Sequence, residues 1–222
     1  MHYLLRILAV VLGFIFVTVF KLRQKQHMKL LLAFSGAFLL AITVFNLLPN
    51  VFSSYKSSYG VFVMAGILLQ IFLEFFSKGA EHGHVHIHKD RKLFPWLLFI
   101  SLSIHAVLEG FPMHHHDHLV WGIVVHKIPV AIILTTFFYQ SKMSKASILT
   151  FLISFALMTP LGSFLSEQLT FLEAYQNEIT ALVIGIFLHI STTILFESSE
   201  GHKFNLTKLL VIISATVIAY FI

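Results

Sequence analysis

The chain has 222 residues, 57% of them apolar and 11% charged, against roughly 45–50% and about 25% in soluble domains. With a mean hydropathy of +0.86, this balance excludes a soluble globular core and reads as an all-α integral membrane protein. The absence of cysteine removes disulfides, thiolate metal sites and a cysteine nucleophile, so any metal must be held by His, carboxylate or other oxygen ligands.

A membrane-spanning helix needs about 20 mostly apolar residues. Eight stretches meet that requirement: Tyr3–Phe20, Leu30–Leu48, Tyr59–Phe76, Leu93–Phe111, Leu119–Tyr139, Ala146–Leu165, Ile179–Phe196 and Leu206–Ile222. The first is followed by Lys21, Arg23, Lys25 and Lys29 with no small-residue cleavage site, so it is expected to be a retained helix and not a signal peptide. Asn46, ahead of Pro49 in the second span, is placed to line an entrance. Glu74 and Glu197 fall near span ends, where a solvated carboxylate is ordinary.

After the third span, residues 78–92 form a His-rich connector in which His82, His84, His86 and His88 alternate. Along an extended segment they would make a metal-collecting strip, with weak adventitious binding the competing explanation. A second cluster, His114, His115, His116, Asp117 and His118, fills the short loop between the fourth and fifth spans. It is placed to capture ions at the mouth of that helix pair, and surface solvation competes as an explanation. His189, near Ser191 and Thr192 in the seventh span, reads as a hydrogen-bonded core histidine.

Charge asymmetry orients the spans. The connectors after the first, third, fifth and seventh spans hold Lys21 to Lys29, then Lys78, Lys89, Arg91 and Lys92, then Lys142 and Lys145, then Lys203 and Lys208. The other side carries Asp117, Glu167, Glu173 and Glu178, with Lys56 and Arg6 as its basic residues. The basic connectors are therefore expected in the cytoplasm and both termini outside. The formal charge of +5 does not indicate nucleic acid, because these residues are scattered with no interleaved aromatic patch.

The most informative residues lie inside the fourth and fifth spans. His105 and Glu109 are four apart in a helix, so they project from one face and suit one ion. His126 on the next span can add a second nitrogen if the two helices pack antiparallel, as their short connector demands. Two imidazoles and a carboxylate with open positions for water suit Zn²⁺ and tolerate other divalent first-row ions. Ionisable groups at this depth are costly and functional by default. Lys127 cannot ligate a metal while protonated; it either pairs with Glu109 or occupies the place of a second ion. Pro129 and Pro160 free the carbonyls of Val125 and Ala156 from helix hydrogen bonds, or simply bend their helices.

These residues resemble the ZIP family of divalent-metal transporters. His105-Ala-Val-Leu-Glu-Gly110 stands where the family's fourth helix has His-Asn-x-x-Glu/Asp-Gly, and His126-Lys-Ile-Pro-Val130 where its fifth has His-Glu/Asp-x-Pro-His/Glu. Ser35-Gly-Ala-Phe38 and Leu47-Leu-Pro49 resemble its second helix, Pro160-Leu-Gly162 its sixth and Gly185-Ile-Phe-Leu188 its seventh. The resemblance implies a single eight-helix transporter domain over residues 1–222, with a His-rich cytoplasmic loop after the third helix. It also implies departures: members often hold two adjacent metals, and the second-metal positions here are Ala106, Lys127, Val130 and Thr159. The expectation is one metal site of His105, Glu109 and His126, with the Lys127 ammonium in place of a second cation.

The expected function is movement of Zn²⁺, or of Fe²⁺, Mn²⁺ or Cd²⁺, into the cytoplasm, the direction being inherited from the resemblance. An intramembrane zinc hydrolase is a rival, although the His-Glu-x-x-His pattern is absent. A degenerate metal-binding relative that does not transport is another. The compact chain suits a bacterial inner membrane, the expected partners are the metal ion and the lipid bilayer, and the sequence leaves a homodimer open.

Overall fold

The computed structural model describes residues 2–20, 25–54, 56–79, 94–114, 117–197 and 206–222. These residues form α-helices α1 (His2–Phe20), α2 (Lys25–Ile42), α3 (Leu48–Ser53), α4 (Ser58–Ser77), α5 (Trp96–Gly110), α6 (Asp117–Gln140), α7 (Lys145–Gln168), α8 (Gln176–Glu197) and α9 (Leu206–Tyr220). Single 3₁₀ turns, Phe111–His114 and Thr170–Tyr175, follow α5 and precede α8. The His-rich strip of His82, His84, His86 and His88 lies outside the described residues, as do His115 and His116.

Six helical segments are long and apolar enough to cross a membrane; α5 and α9 are apolar but have 15 residues each. Large apolar side chains cover the outside of the bundle, among them Leu68, Phe75, Trp96, Ile153, Phe171 and Phe196. An apolar exterior over a helical bundle with an apolar interior is what lipid requires and water penalises. The protein is an all-α membrane protein.

The expected spans need two local corrections. The fourth begins later than Leu93, because Pro95 caps α5 with a non-helical ψ of 74°, and a proline, with no N–H to donate, fits readily at a helix start. The second runs beyond Leu48 to Ser53 through a wide turn at Thr43–Leu47, where the Leu48 N–H donates to the Thr43 carbonyl. Pro49 has no N–H to offer Phe45, and the ladder shifts by one residue ahead of it.

The interior has two apolar clusters. One, built around Phe38, Ile42, Leu47, Tyr59, Ile123 and Phe187, joins α2, α4, α6 and α8. The other, around Leu102, Leu134, Phe138, Phe151 and Phe155, joins α5, α6 and α7. Only α6 is central to both, so it forms the partition on which a site can sit.

Small residues set the tightest helix contacts, as is usual for packing in lipid. A Cβ on Gly66 of α4 would stand 1.9 Å from the Leu182 carbonyl oxygen, and one on Gly185 of α8 2.0 Å from that of Val63. Gly110 of α5 and Gly162 of α7 meet the Thr159 and Val107 carbonyls in the same way, at 2.4 and 2.0 Å. Overpacking costs about 1–3 kcal/mol, so Gly66→Ala is expected to lower the thermal unfolding midpoint of detergent-purified protein. Gly60→Ala, whose Cβ meets nothing within 4 Å, should leave the midpoint unchanged; equal midpoints for both would show slack in the α4–α8 seam.

Candidate intramembrane metal site

The α5–α7 contact places the central carboxylate. With no side chain at Gly110 or Gly162 the two backbones touch, and the Ser163 hydroxyl donates to the Gly110 carbonyl at 2.7 Å. One turn away, the Thr159 hydroxyl donates to Glu109 Oε1 at 2.6 Å. Glu109 is 0% exposed. A carboxylate so deep in an apolar bundle persists in ionised form only with opposing charge and hydrogen bonds.

Lys127 of α6 supplies that charge. Its ammonium lies 2.6 Å from Glu109 Oε1 and 4.6 Å from the centroid of the Phe155 ring. The ring adds a cation–π contact to the same ammonium. The ion pair with Glu109 that the sequence allowed for Lys127 is present.

The other carboxylate oxygen faces imidazole. His105 Nε2 is 3.3 Å from Glu109 Oε2, the one-turn spacing having brought both onto the same face of α5. His126 is buried beside them, its ring edge-on to that of His105 with centroids 6.5 Å apart. Two imidazoles sharing a tetrahedral ion at bonds of about 2.0–2.1 Å would bring their centroids to about 5 Å. Among the described residues no three His, Asp or Glu side chains are gathered closely enough to hold an ion as they stand. Binding by all three groups requires the rings to approach by about an ångström, with N and O donors of the kind zinc takes.

Positions flanking the cluster are apolar. Ala106 and Val130 are buried in the α5–α6–α7 cluster beside Phe155, where they offer no ligand. Pro129 and Pro160 are both buried inside their helices.

The remaining expected residues lie elsewhere. Asn46 is half-buried in the wide turn of the second span. Gly122 of α6 packs near Leu39 and Ile42, so Asn46, a turn further along, falls toward the Asp117 end of α6 and away from His126. His114, Asp117 and His118 are on the backbone between α5 and α6, and their side chains lie outside the described set. His189 is half-buried on α8 and meets Glu74 of α4 at 2.7 Å. The expectation of an ordinary solvated carboxylate at Glu74 is therefore corrected, because the α4–α8 seam turns that residue toward a neighbouring helix.

Two polar residues had been passed over. Arg6, counted as an outer charge, is 3% exposed between α1 and α7 and donates to the Ser163 hydroxyl at 2.5 Å. A lone arginine inside an apolar span was the available signal. Gln70 is 0% exposed on α4, and both its amide atoms lack a hydrogen-bond partner; nothing in its sequence neighbourhood marks it.

Fold and cluster together define a membrane-embedded helical bundle in which ionisable and imidazole side chains of two helices converge beside a hydroxyl of a third. The chain is similar to a protein named zntD from Dictyostelium discoideum, 27% identical over 150 residues, and to zinc transporter ZIP1 from Danio rerio, 30% identical over 88 residues. These matches cover 58% and 37% of this chain and only 22% and 29% of the relatives' own lengths. No protein-family model matches the chain. The chain thus shares partial similarity with a named zinc transporter.

The ion pair makes a sharp energetic prediction. Lys127→Met leaves an uncompensated carboxylate in the interior, a loss of about 3–5 kcal/mol. Adding Glu109→Gln removes the stranded charge and should restore most of the thermal unfolding midpoint. If the double variant is as unstable as the single one, the loss does not come from the stranded carboxylate.

Proposed function

We propose that the protein is a ZIP-family transporter that carries a divalent cation, Zn²⁺ before Fe²⁺, Mn²⁺ or Cd²⁺, into the cytoplasm. The observation that carries this reading is the buried convergence of His105, Glu109, His126 and Lys127 inside an apolar bundle. Such groups mark ion pathways in membrane proteins by default, and the similarity to a zinc transporter supports the cargo. In this reading α5 and α9 complete eight spans with both termini outside, in a bacterial inner membrane. Every proposed ligand comes from one chain, so a homodimer is compatible but not required.

One ion binds per cycle. His105 Nε2 and Glu109 Oε2 meet it first, and His126 closes on it as the rings approach. Lys127 already sits on Glu109 Oε1, in the place a second cation would take. Its charge lowers the affinity of the shared carboxylate for the incoming ion and favours release. The cluster at His114 to His118 feeds the outer mouth and the strip at His82 to His88 receives the ion inside. Alternating access follows from movement of the helices that carry the site against the others.

Purified protein in proteoliposomes should take up Zn²⁺, with uptake abolished by Glu109→Gln or His105→Ala. Lys127→Ala should bind Zn²⁺ more tightly and turn over more slowly. Metal binding without flux in the parent would instead favour a non-transporting relative, a reading that the Lys127 contact with Glu109 also accommodates. The orientation has its own test, made simple by the absence of native cysteine. A membrane-impermeant maleimide should label Ser54→Cys in intact cells and Met143→Cys only after permeabilisation; the opposite pattern would invert the topology.

A further inference from the structure

The second convergence of metal-ligating side chains in the bundle lies between α4 and α8. His189 Nε2 and Glu74 Oε2 are 2.7 Å apart, with side chains 18% and 23% exposed. The two helices run parallel in this seam: Gly66 meets Leu182, Gly185 meets Val63 and Ile67, and Glu74 meets His189. Both helices progress from there toward the connectors read above as cytoplasmic.

The distance to the first cluster is short. The Ser101 hydroxyl of α5 donates to the Leu73 carbonyl of α4 at 2.5 Å, so Glu74 is level with the turn of α5 that precedes His105. That turn amounts to about 6 Å along the axis. Between the two levels stands Gln70, one turn from Glu74 on the same face of α4. Its amide oxygen and nitrogen are wholly buried without hydrogen-bond partners, as is His105 Nδ1. Unsatisfied buried amides cost free energy and call for a role. An amide oxygen is a competent oxygen donor to a passing cation.

We propose that Glu74 and His189, with the Gln70 amide oxygen above them, form a second divalent-cation station on the exit side of the transport site. This rests on the transport reading for its direction and not for its existence. The ion displaces the hydrogen bond between the two side chains. His189 gives Nε2, Glu74 gives Oε2, and water at the partly exposed edge completes the shell. Metal bonds of about 2.0–2.2 Å to nitrogen and oxygen place those donors about 3.3 Å apart at a tetrahedral angle, so the pair opens by roughly half an ångström. Two protein ligands with water hold an ion weakly, which suits a point of passage. The Gln70 amide bridges the interval between the stations, so the ion need not cross it without an oxygen ligand.

The test counts ions. Co²⁺ titration of the full chain in detergent, followed by its visible absorption, is compared for the parent, Glu109→Gln, the double variant Glu74→Gln with His189→Asn, and that double variant combined with Glu109→Gln. The double variant replaces the ionic hydrogen bond with one between amides, so the helix contact persists while the cation site is lost. The station predicts one Co²⁺ fewer per chain in the double variant, in both the parent and the Glu109→Gln backgrounds. Its Zn²⁺ uptake in proteoliposomes should fall by about tenfold, the scale of effect seen when metal shells lose supporting groups. Unchanged stoichiometry and unchanged uptake in a folded double variant would make the pair a packing contact and overturn the proposal. A normal ion count in Glu109→Gln alone would count against the primary site and leave the second station to be judged on its own difference.

Discussion

A carboxylate buried beyond the reach of water governs this molecule. Glu109 can stay ionised inside the bundle only because Lys127, Thr159 and His105 surround it, and each comes at its own angle from α6, α7 and α5. A buried pair of this kind contributes little net stability, since similar volumes of apolar side chain often serve a fold equally well. Its presence is therefore better explained by what it can exchange than by what it holds. On the transport reading, the ammonium competes with an incoming cation for the carboxylate, so the ion is held weakly and leaves readily.

That arrangement is underwritten by residues with almost no chemistry. Gly110 and Gly162 let α5 touch α7 closely enough for the Thr159 hydroxyl to reach Glu109. Ala106 and Val130 fill the positions beside the site with apolar bulk, so the carboxylate meets one fixed cation and one imidazole in place of a broader set of ligands. The Phe155 ring adds a second contact to the Lys127 ammonium. On the transport reading, packing has tuned the site toward a single weakly held ion.

Much of this was legible in the sequence. Hydropathy located the spans, and the four-residue step placed His105 with Glu109 before any coordinates. Local chain chemistry was harder: Pro95 trims the start of α5 and Pro49 forces the wide turn in the second span, both through a missing N–H that hydropathy does not register. Interhelical partners were harder still. Which face of an all-apolar helix looks inward is set by close glycine contacts on other helices, so Glu74 read as a solvated end residue when it in fact meets His189. Arg6 was taken for a surface charge because the first span shows no polar stripe to betray its partner on α7. For His126 the sequence supplied the neighbourhood and not the distance to His105.

The glycine seams divide the bundle mechanically. Where carbonyls nearly touch the opposing backbone, as between α4 and α8 and between α5 and α7, neither helix can slide or roll without collision, so each couple behaves as one stiff strut. Glu109 and Thr159 ride on one strut, Glu74 and His189 on the other, while His126 and Lys127 ride on α6, which meets α1 closely at Gly13. Backbone spacings within a strut are fixed by these contacts, while the side chains across it and the spacings between carriers are adjustable. On the transport reading, trading the lysine for a metal at Glu109 is accordingly a question of where α6 stands, and Pro129, two residues beyond Lys127, leaves that helix a gap in its hydrogen-bond ladder.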